Sequence, residues 1–446
     1  MKFRLMSLLL IAPIAGGCAV DQKKEVEAYR SLLRISDETV DFQPDVPLPL
    51  RNAMLLANQS DADLAIRGED YLQATIRRQR TAANFLPTVS LVPAYSRSDR
   101  LGGRDENYDS NDRSFDVPLS GSINVFNGLS DINRSWSDRF FIEQRRHELW
   151  SAQEQILLDT ASIFYEVLRS EAQVRVLESA EKLQDERFRD ARGRFQAGVA
   201  SPLVALQTEA QVAQTRTTLI SARADVLRAR SQLKELIGED VRTTPLSDQY
   251  EPPAVPTLEA ALKLAEARDD LKAAKNAVTS AAYEVRAAIG QYYPSVGIDV
   301  TAFLYRDEAG SARTWDSLLS ANIPIFSAGR IKADVRQAWS NLRIALLTRG
   351  DIEDRVTAQI EQAHSALTAS DERLSQLQIQ VAAANAALRQ AEESYRAGVA
   401  TNLDRILAQD ASLQAQLQLA SEQYDRKLFH LTLLQRMGVL REEISK

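Results

Sequence analysis

The sequence is poor in the residue types on which metal sites and disulfide frameworks depend. It has one cysteine and three histidines in 446 residues, and these positions share no local spacing typical of metal ligands. Glycine and proline are also scarce, with 17 and 14 copies that fall in clusters. No metal centre or disulfide scaffold is therefore expected, and the long tracts of Ala, Gln, Leu, Arg and Glu predict long helices.

Two further features are missing, a run of basic charge and a long apolar segment. The formal net charge of -7 is small for this length, and Lys and Arg are interspersed with Asp and Glu, so nothing indicates nucleic-acid binding. Beyond the N-terminal signal, no stretch approaches the roughly 20 consecutive apolar residues of a transmembrane helix. If the mature chain crosses a membrane, strands must do so.

The N-terminus has the features of a secretory signal. Two basic residues precede an apolar stretch, small residues follow, and the single cysteine, Cys18, comes directly after them. The ending AGGC resembles the bacterial lipobox, which implies acylation of Cys18; a chance cysteine beside an ordinary cleavage site is the alternative. By the same resemblance, Ala19 implies sorting to the outer membrane. We assign residues 1–17 to a lipoprotein signal peptide and 18–52 to an N-terminal anchor segment.

The rest of the chain is a duplication. The segment AMLLANQSDADLAIRGED aligns with AALKLAEARDDLKAAKNA, and the phrases FQAGVASPL and YRAGVATNL begin 200 positions apart. The first copy spans residues 53–238 and the second 257–438. A proline-rich linker, 239–256, joins them, and residues 439–446 form a C-terminal tail.

Each copy predicts a helix followed by a β-hairpin. A helical segment, about 53–84 and 257–291, ends before a proline. Alternating apolar and polar residues then predict β-hairpins at about 87–127 and 294–326. Strands of roughly 10 to 13 residues suit a tilted membrane-spanning strand, and a soluble hairpin is the alternative.

A long helix follows each hairpin, at about 130–195 and 331–396. Some 66 residues extend about 100 Å, which few globular domains could enclose. In the second copy, small and apolar residues at alternating spacings of three and four form a heptad seam from Ile360 to Tyr395. The partner of this helix must be another helix.

A glycine ends each long helix and supplies that partner. The glycines lie in tips at about 196–202 and 396–402, and each tip ends in a helix-capping residue. A second helix then returns to Gly238 or Gly438, each a natural residue to follow a helix C-terminus. Each tip is therefore the end of a helical hairpin.

These features together resemble the TolC-like outer-membrane efflux proteins. The resemblance covers about residues 53–438 and is carried by the two tip phrases, the prolines that start the hairpins, the PIFSAG run at 324–329 and the duplicated order of elements. It implies a mainly α fold with a small β part, in which a homotrimer forms a 12-stranded transmembrane β-barrel continuous with a long periplasmic α-helical barrel.

The same resemblance implies a function and partners. The protein would be a passive exit duct from the periplasm to the outside, in a tripartite efflux or secretion system. Its partners would be a periplasmic adaptor (membrane fusion protein), an inner-membrane pump driven by protons or ATP, and outer-membrane lipid.

Roles for individual residues follow from the resemblance as well. The adaptor would contact the small residues of the tips, whose glycines could equally be turn formers only: Gly198, Val199, Ala200, Ser201, Gly398, Val399, Ala400 and Thr401. Asp404 matches an aspartate that faces the narrow end of the pore, where three copies would form a cation-favouring ring, with Tyr395 supporting the closed state. Asp404 could equally be a first-turn acid stabilised by the helix dipole, and the first copy has Val204 at the matching position.

Two other classes of function remain as alternatives. A lipid-anchored periplasmic coiled-coil adaptor or scaffold would also use long helices, although no lipoyl-like module is evident. The sequence does not indicate a catalytic site, because it offers no cofactor motif, no phosphate loop and no nucleophile with a base at motif spacing. The sequence names neither the exported substrate nor the energy source, and it assigns no role to residues 19–48.

Overall fold

The computed structural model describes residues 20–35, 40–99, 111–306 and 313–445. Cys18 and the signal sequence lie outside the described residues. The chain divides into two compact units, each assembled from segments of both copies. The described parts of the first, the helical unit, fall within 20–68, 148–269 and 353–445, and those of the second, the strand unit, fall within 69–147 and 270–352.

The protein is mainly helical with a small β part, as predicted. The helices of the described residues are α1 Gln22–Arg30, α2 Leu50–Ser60, α3 Ala62–Ala83, α4 Ser130–Gln196, α5 Pro202–Ile237, α6 Leu258–Ala265, α7 Asp269–Gly290, α8 Arg330–Arg396, α9 Asn402–Met437 and α10 Leu440–Ser445. The strands are β1 Leu48–Pro49, β2 Thr88–Leu91, β3 Ala94–Asp99, β4 Asn111–Asn127, β5 Leu246–Ser247, β6 Ser295–Arg306 and β7 Trp315–Asn322.

The strand unit contains an antiparallel sheet at the positions predicted for the two hairpins. Its strand order is β2-β4-β6-β7, and β3 continues beside β4 after β2 ends. The first strand is divided at Val92 and Pro93, because proline has no N–H to donate to a neighbouring strand. Strands β4 and β6 pair from Asp116 with Arg306 to Asn127 with Ser295, so the hairpins of the two copies form one sheet.

The two faces of this sheet differ in polarity. Successive side chains of a strand point to opposite faces, so paired residues form rows across the sheet. One row reads Ser90, Ser120, Thr301, Asp316, and the row beside it on the same face reads Thr88, Ser122, Asp299, Leu318. The rows on the opposite face read Leu91, Leu119, Ala302, Trp315 and Val89, Gly121, Val300, Ser317. One face is therefore rich in hydroxyl and carboxylate groups and the other is apolar.

A close crossing of two chain segments connects the sheet to the helices of the strand unit. Gly128 has φ +64°, and a Cβ atom there would overlap the carbonyl oxygen of Gly290. Next to it, Ser130 Oγ donates to the carbonyl of Ala287 at 2.8 Å. Glycine is required at this crossing for both its backbone conformation and its size.

The helical unit is held together along the predicted heptad seam. Ile360 and Leu367 of α8 are completely buried, as is Ser370. Helix α4 contacts α9 through Gln173 Nε2, which donates to Ser421 Oγ at 2.9 Å. The seam predicted from the spacing of small and apolar residues is confirmed in this stretch.

The helices that precede the hairpins differ from the prediction. One helix was expected at 53–84 and another at 257–291, but each is divided in two. Asp61 has extended backbone and caps α3, since its Oδ1 accepts from Leu64 N at 2.8 Å. In the second copy, α6 ends at Ala265 and α7 begins at Asp269.

The N-terminal segment docks on the helical unit. The ring of Tyr29 occupies the space that a side chain at residue 68 would need, so only glycine fits there. Gln153 Nε2 and Asn58 Nδ2 donate to the carbonyl of Leu33 at 2.6 and 2.9 Å. These contacts place residues 20–35 as a folded part of the unit.

The linker between the copies also packs on the helical unit. Strand β5 pairs in parallel with β1. Lys427 Nζ donates to Asp248 Oδ2 at 2.9 Å, and the Tyr250 hydroxyl lies 2.6 Å from His430 Nδ1. The linker is thereby fastened to α9.

Candidate functional site

Each helical hairpin turns at a glycine in the left-handed conformation. Gly198 has φ +73° and Gly398 has φ +76°. The N–H groups of Val199 and Val399 donate to carbonyls five residues earlier at 3.0 Å, which satisfies a carbonyl left open at the helix end. A Cβ atom at either glycine would meet nothing within 4 Å. The requirement for glycine is therefore one of backbone conformation and not of packing.

The returning helices begin with side-chain caps. Ser201 Oγ accepts from Leu203 N at 3.2 Å, and Pro202 occupies the first helical position. Thr401 caps α9 in the second copy. The helix ends predicted at the tips agree with the structure to within one residue.

The surface of the tips is apolar and exposed. Val199 and Val399 are 75% and 79% exposed. Further exposed apolar side chains follow at spacings of three or four, namely Leu203, Leu206, Leu403 and Leu407. The sequence reasoning named the valines but missed these leucines, for which their helical spacing was the available signal.

Asp404 forms a capping box with Thr401. Its Oδ2 accepts from Thr401 N at 2.8 Å and from Thr401 Oγ1 at 2.6 Å, and its own N–H donates to Thr401 Oγ1 at 3.2 Å. The hydrogen bond from the Thr401 hydroxyl, followed by that from the Thr401 N–H, lowers the pKa of the exposed Asp404 carboxyl below its usual value. Asp404 is therefore ionised at neutral pH and has a helix-capping role in the single chain.

Tyr395 lies against an arginine and not against Asp404. The guanidinium carbon of Arg405 lies 4.4 Å from the centre of the Tyr395 ring. Arg405 Nη2 also donates to Asn402 Oδ1 at 2.7 Å. The sequence reasoning missed Arg405, because nothing in its local spacing marks it as a buried residue.

Polar side chains connect the two helical hairpins near the tips. Asn402 Nδ2 donates to Gln207 Oε1 at 3.0 Å, and Gln211 Nε2 donates to Asp410 Oδ1 at 2.6 Å. These residues belong to different copies of the duplicated unit, so the contacts fix one hairpin against the other. No sequence spacing indicates them.

Two classes of feature are absent from the described part of the chain. No group of three or more His, Cys, Asp or Glu side chains there is arranged to hold a metal ion. No helix among those residues is both long and apolar enough for a membrane span.

Comparison with known proteins shows the family. The family profile described as outer membrane efflux protein matches residues 55–239 and 261–439, which correspond to the two copies. The chain belongs to this family. Members of the outer membrane efflux protein family are transport channels and not enzymes.

Individual members of the outer membrane efflux protein family are similar over most of the chain. The outer membrane efflux protein BepC of Brucella suis is 26% identical over 406 residues, which is 82% of this chain and 88% of BepC. The alkaline protease secretion protein AprF of Pseudomonas aeruginosa is 25% identical over 292 residues, 62% of this chain and 60% of AprF.

A solved structure shows the same fold. The Campylobacter jejuni CmeC outer membrane channel superposes with a TM-score of 0.80 at 16% identity, over 94% of this chain and 95% of CmeC. This outer membrane efflux protein is accordingly a channel component of the outer membrane that reaches into the periplasm, and it serves efflux or secretion.

Proposed function

We propose that three copies of this chain close into one continuous exit duct. The observation that carries this proposal is the sheet with two open edges. Among the described residues, β7 pairs only with β6, and β2 and β3 pair only with β4. Open edges are not tolerated in lipid, and β7 of one copy paired with β2 and β3 of the next would leave none.

The polarity of the sheet supports the same arrangement. Its apolar face, which includes Val89, Leu119 and Val300, suits contact with lipid, and its hydroxyl-rich face suits a water-filled lumen. Each copy contributes four strands when β2 and β3 are counted as one strand. Three copies would therefore give a closed barrel of 12 strands. The long helices would form a helical barrel in the periplasm.

The tips are the proposed site of adaptor contact. Exposed apolar side chains on a helical hairpin are otherwise unfavourable in water, and they fit the apolar face of another helical hairpin. The contact residues would be Gly198, Val199, Ala200 and Ser201 in the first tip and Gly398, Val399, Ala400 and Thr401 in the second. The adaptor would connect the duct to an inner-membrane pump that supplies the energy.

The lipid anchor is the second membrane contact in the proposal. Acylation of Cys18 would hold the N-terminus at the outer membrane. The docked segment that contains Tyr29 supports this, because it gives the anchored end a fixed attachment to the helical unit. We expect this chain to export substrates of the classes that its relatives' names indicate. BepC is named for efflux and AprF for secretion of an alkaline protease.

Asp404 and Tyr395 are the proposed gate residues. In a trimer, three exposed carboxylates at one level would attract cations. The capping box with Thr401 fixes the position of each carboxylate, and Tyr395 would stabilise the closed arrangement through Arg405.

Single-channel conductance of the purified protein in a planar bilayer tests the duct and the gate together. Asp404→Asn removes the charge and retains an acceptor oxygen for the cap. Thr401→Val removes the capping hydroxyl and retains the charge. We expect discrete channels of low open probability. Cation selectivity should be lost in Asp404→Asn and only partly reduced in Thr401→Val, which keeps the charge but fixes its position less firmly.

The outcomes separate the two parts of the proposal. Equal loss of selectivity in both variants would show that Asp404 acts only as a helix cap. No conductance from folded wild-type protein would eliminate the duct itself and favour a lipid-anchored scaffold.

Adaptor contact is tested by paired substitutions on the returning helix. Leu203 lies at a tip, and Ile220 is similarly exposed farther along α5. Leu203→Asp and Ile220→Asp therefore place the same charge at the tip and away from it. We expect Leu203→Asp to abolish export in cells and to leave conductance in bilayers unchanged. Equal loss of export in both variants would refute a contact confined to the tips.

A further inference from the structure

A cluster of polar side chains is buried between α4, α8 and α9 close to the tips. Gln184 is 3% exposed, Gln409 is 6% exposed and Arg405 is 9% exposed. The side-chain amide of Gln184, the Nε atom of Arg405 and the Nε2 atom of Gln409 have no hydrogen-bond partner among the described residues. Native structures rarely leave buried donors unpaired, because each one costs the free energy of its lost hydration.

These unpaired groups lie along the contact between α4 and α9. Gln184 lies one turn before Arg187 on α4, and Gln409 lies one turn after Arg405 on α9, so each pair shares a helix face. Arg187 Nη1 donates to Gln409 Oε1, which joins the two faces. Because α4 and α9 run antiparallel, Arg405 lies on the tip side of this contact and Gln184 lies on the side away from the tips.

The cluster also carries an excess of positive charge. Arg187 forms an ion pair with Glu392 of α8, and no carboxylate is paired with Arg405 in the structure as described. Burial, followed by repulsion from Arg405 and Arg396, lowers the pKa of Arg187 to about 10. Burial also lowers the pKa of Arg405. Both guanidinium groups remain protonated at neutral pH, so deprotonation does not remove the excess charge.

The groups around Arg405 do not neutralise it, since Asp190, whose charge acts on Arg405, forms its own ion pair with Arg194. Asn402 supplies one neutral acceptor, and the face of Tyr395 supplies a weak attraction. Arg405 lies in the first turn of α9, where the helix dipole adds positive potential and disfavours a cation. A buried charge of this kind is stable only with a counter-charge.

We infer that this cluster is a binding site for a small monovalent anion of the chloride class, held by Arg405 and Gln409 of α9 beside Arg187 of α4. One uncompensated positive charge matches one negative charge on the ligand. The burial of Arg405 and Gln409 selects a small ion over a bulky one. The ion lies where Arg187 of α4 meets Gln409 of α9, so it stabilises the packing of the two helical hairpins near the tips.

Bromide provides a direct test with the intact protein. Crystals of the detergent-purified wild type grown in sodium bromide should show an anomalous difference peak within hydrogen-bond distance of Arg405 Nε. The absence of such a peak, or a carboxylate of a second copy at that position, would overturn the inference.

A solution measurement distinguishes a site occupied at ordinary concentrations from one filled only in bromide crystals. We would compare the melting temperature in sodium chloride and in sodium gluconate at equal ionic strength. The wild type should melt at a higher temperature in chloride. Arg405→Gln should lose this difference, whereas Arg228→Gln, which removes an exposed arginine of α5, should retain it.

A variant that fails to fold would not prevent the test. If Arg405→Gln does not fold, the bromide peak in wild-type crystals still decides the matter. An equal melting temperature of the wild type in the two salts would overturn the inference even if a bromide peak were seen.

Discussion

Val300 and Thr301 are neighbours in β6 and lie on opposite faces of the sheet. Val300 belongs to the row of Val89 and Gly121 on the apolar face, and Thr301 belongs to the row of Ser120 on the polar face. Replacement of each by arginine therefore tests which face contacts lipid. The two variants have the same charge and differ by one position in the chain.

The depth of Val300 in the membrane determines how much free energy an arginine there would cost. Strand β6 has 12 residues and is about 40 Å long. A tilt of about 40° reduces its height to about 30 Å, which is the thickness of the hydrocarbon layer. Val300 is near the middle of the strand, where arginine facing lipid costs about 2–4 kcal/mol per chain. In a trimer the total is about 6–12 kcal/mol, comparable with the stability of a whole domain.

Refolding into lipid vesicles provides the assay. Val300→Arg should fail to insert, as judged by the loss of heat-modifiable migration and of protection from added protease. Thr301→Arg should insert like the wild type and should shift the conductance of the channel towards anions, because its charge would lie in the lumen.

Two results would refute the reasoning. Normal insertion of Val300→Arg together with failure of Thr301→Arg would show that the faces are reversed. Normal insertion of both variants, with unchanged ion selectivity, would show that this sheet does not form the wall of the channel.

Two further predictions concern stability. Gly398→Ala should destabilise the protein by about 1–2 kcal/mol, because φ is +76° there and a Cβ meets no other atom, whereas Gly193→Ala inside α4 should stabilise it by about 0.5–1 kcal/mol. Burial, followed by the charge of Asp269, raises the pKa of Glu154 from 4.5 to about 7. The folded state therefore holds the proton more tightly, and stability should fall as pH rises from about 4.5 to 7. Glu154→Gln should remove this fall.

Denaturant unfolding in detergent measures both effects. Similar changes in Gly398→Ala and Gly193→Ala would contradict the assignment of the tip to a backbone requirement. For Glu154, the informative quantity is the difference in unfolding free energy between wild type and Glu154→Gln as a function of pH. A difference that is constant across pH 4 to 8 would show that Glu154 titrates as an ordinary exposed carboxyl group.

The sequence allowed good prediction of elements whose signals are local. The ends of the long helices near Gly198 and Gly398 were predicted closely, because a left-handed glycine followed by a capping residue specifies a helix end from a few neighbours. The hairpin positions followed from alternation, which is also a short-range pattern. The breaks at Asp61 and between α6 and α7 were missed, since each lies inside a continuous helical pattern.

The candidate site could be predicted only in part for the same reason. The tip residues and Asp404 were named because they stand in the repeated phrase. The pairing of Tyr395 with Arg405 and the polar contacts between the hairpins, such as Asn402 with Gln207, were not predicted. The contacts between the two helical hairpins join residues about 200 positions apart in the chain, so a pattern among neighbouring residues cannot predict them.

The sequence by itself determined the duplication, the order of helices and strands in each copy, and the places where the long helices turn. Periodicity, capping and the conformational freedom of glycine act over a few residues and can be read from the chain directly. Only the tertiary structure decided which side chains meet across the two copies. It places Tyr29 against Gly68, sets β4 beside β6 in one sheet with two unlike faces, and buries Arg405, whose Nε has no acceptor among the described residues. Such contacts depend on how separate elements pack, and packing is determined by the whole molecule at once.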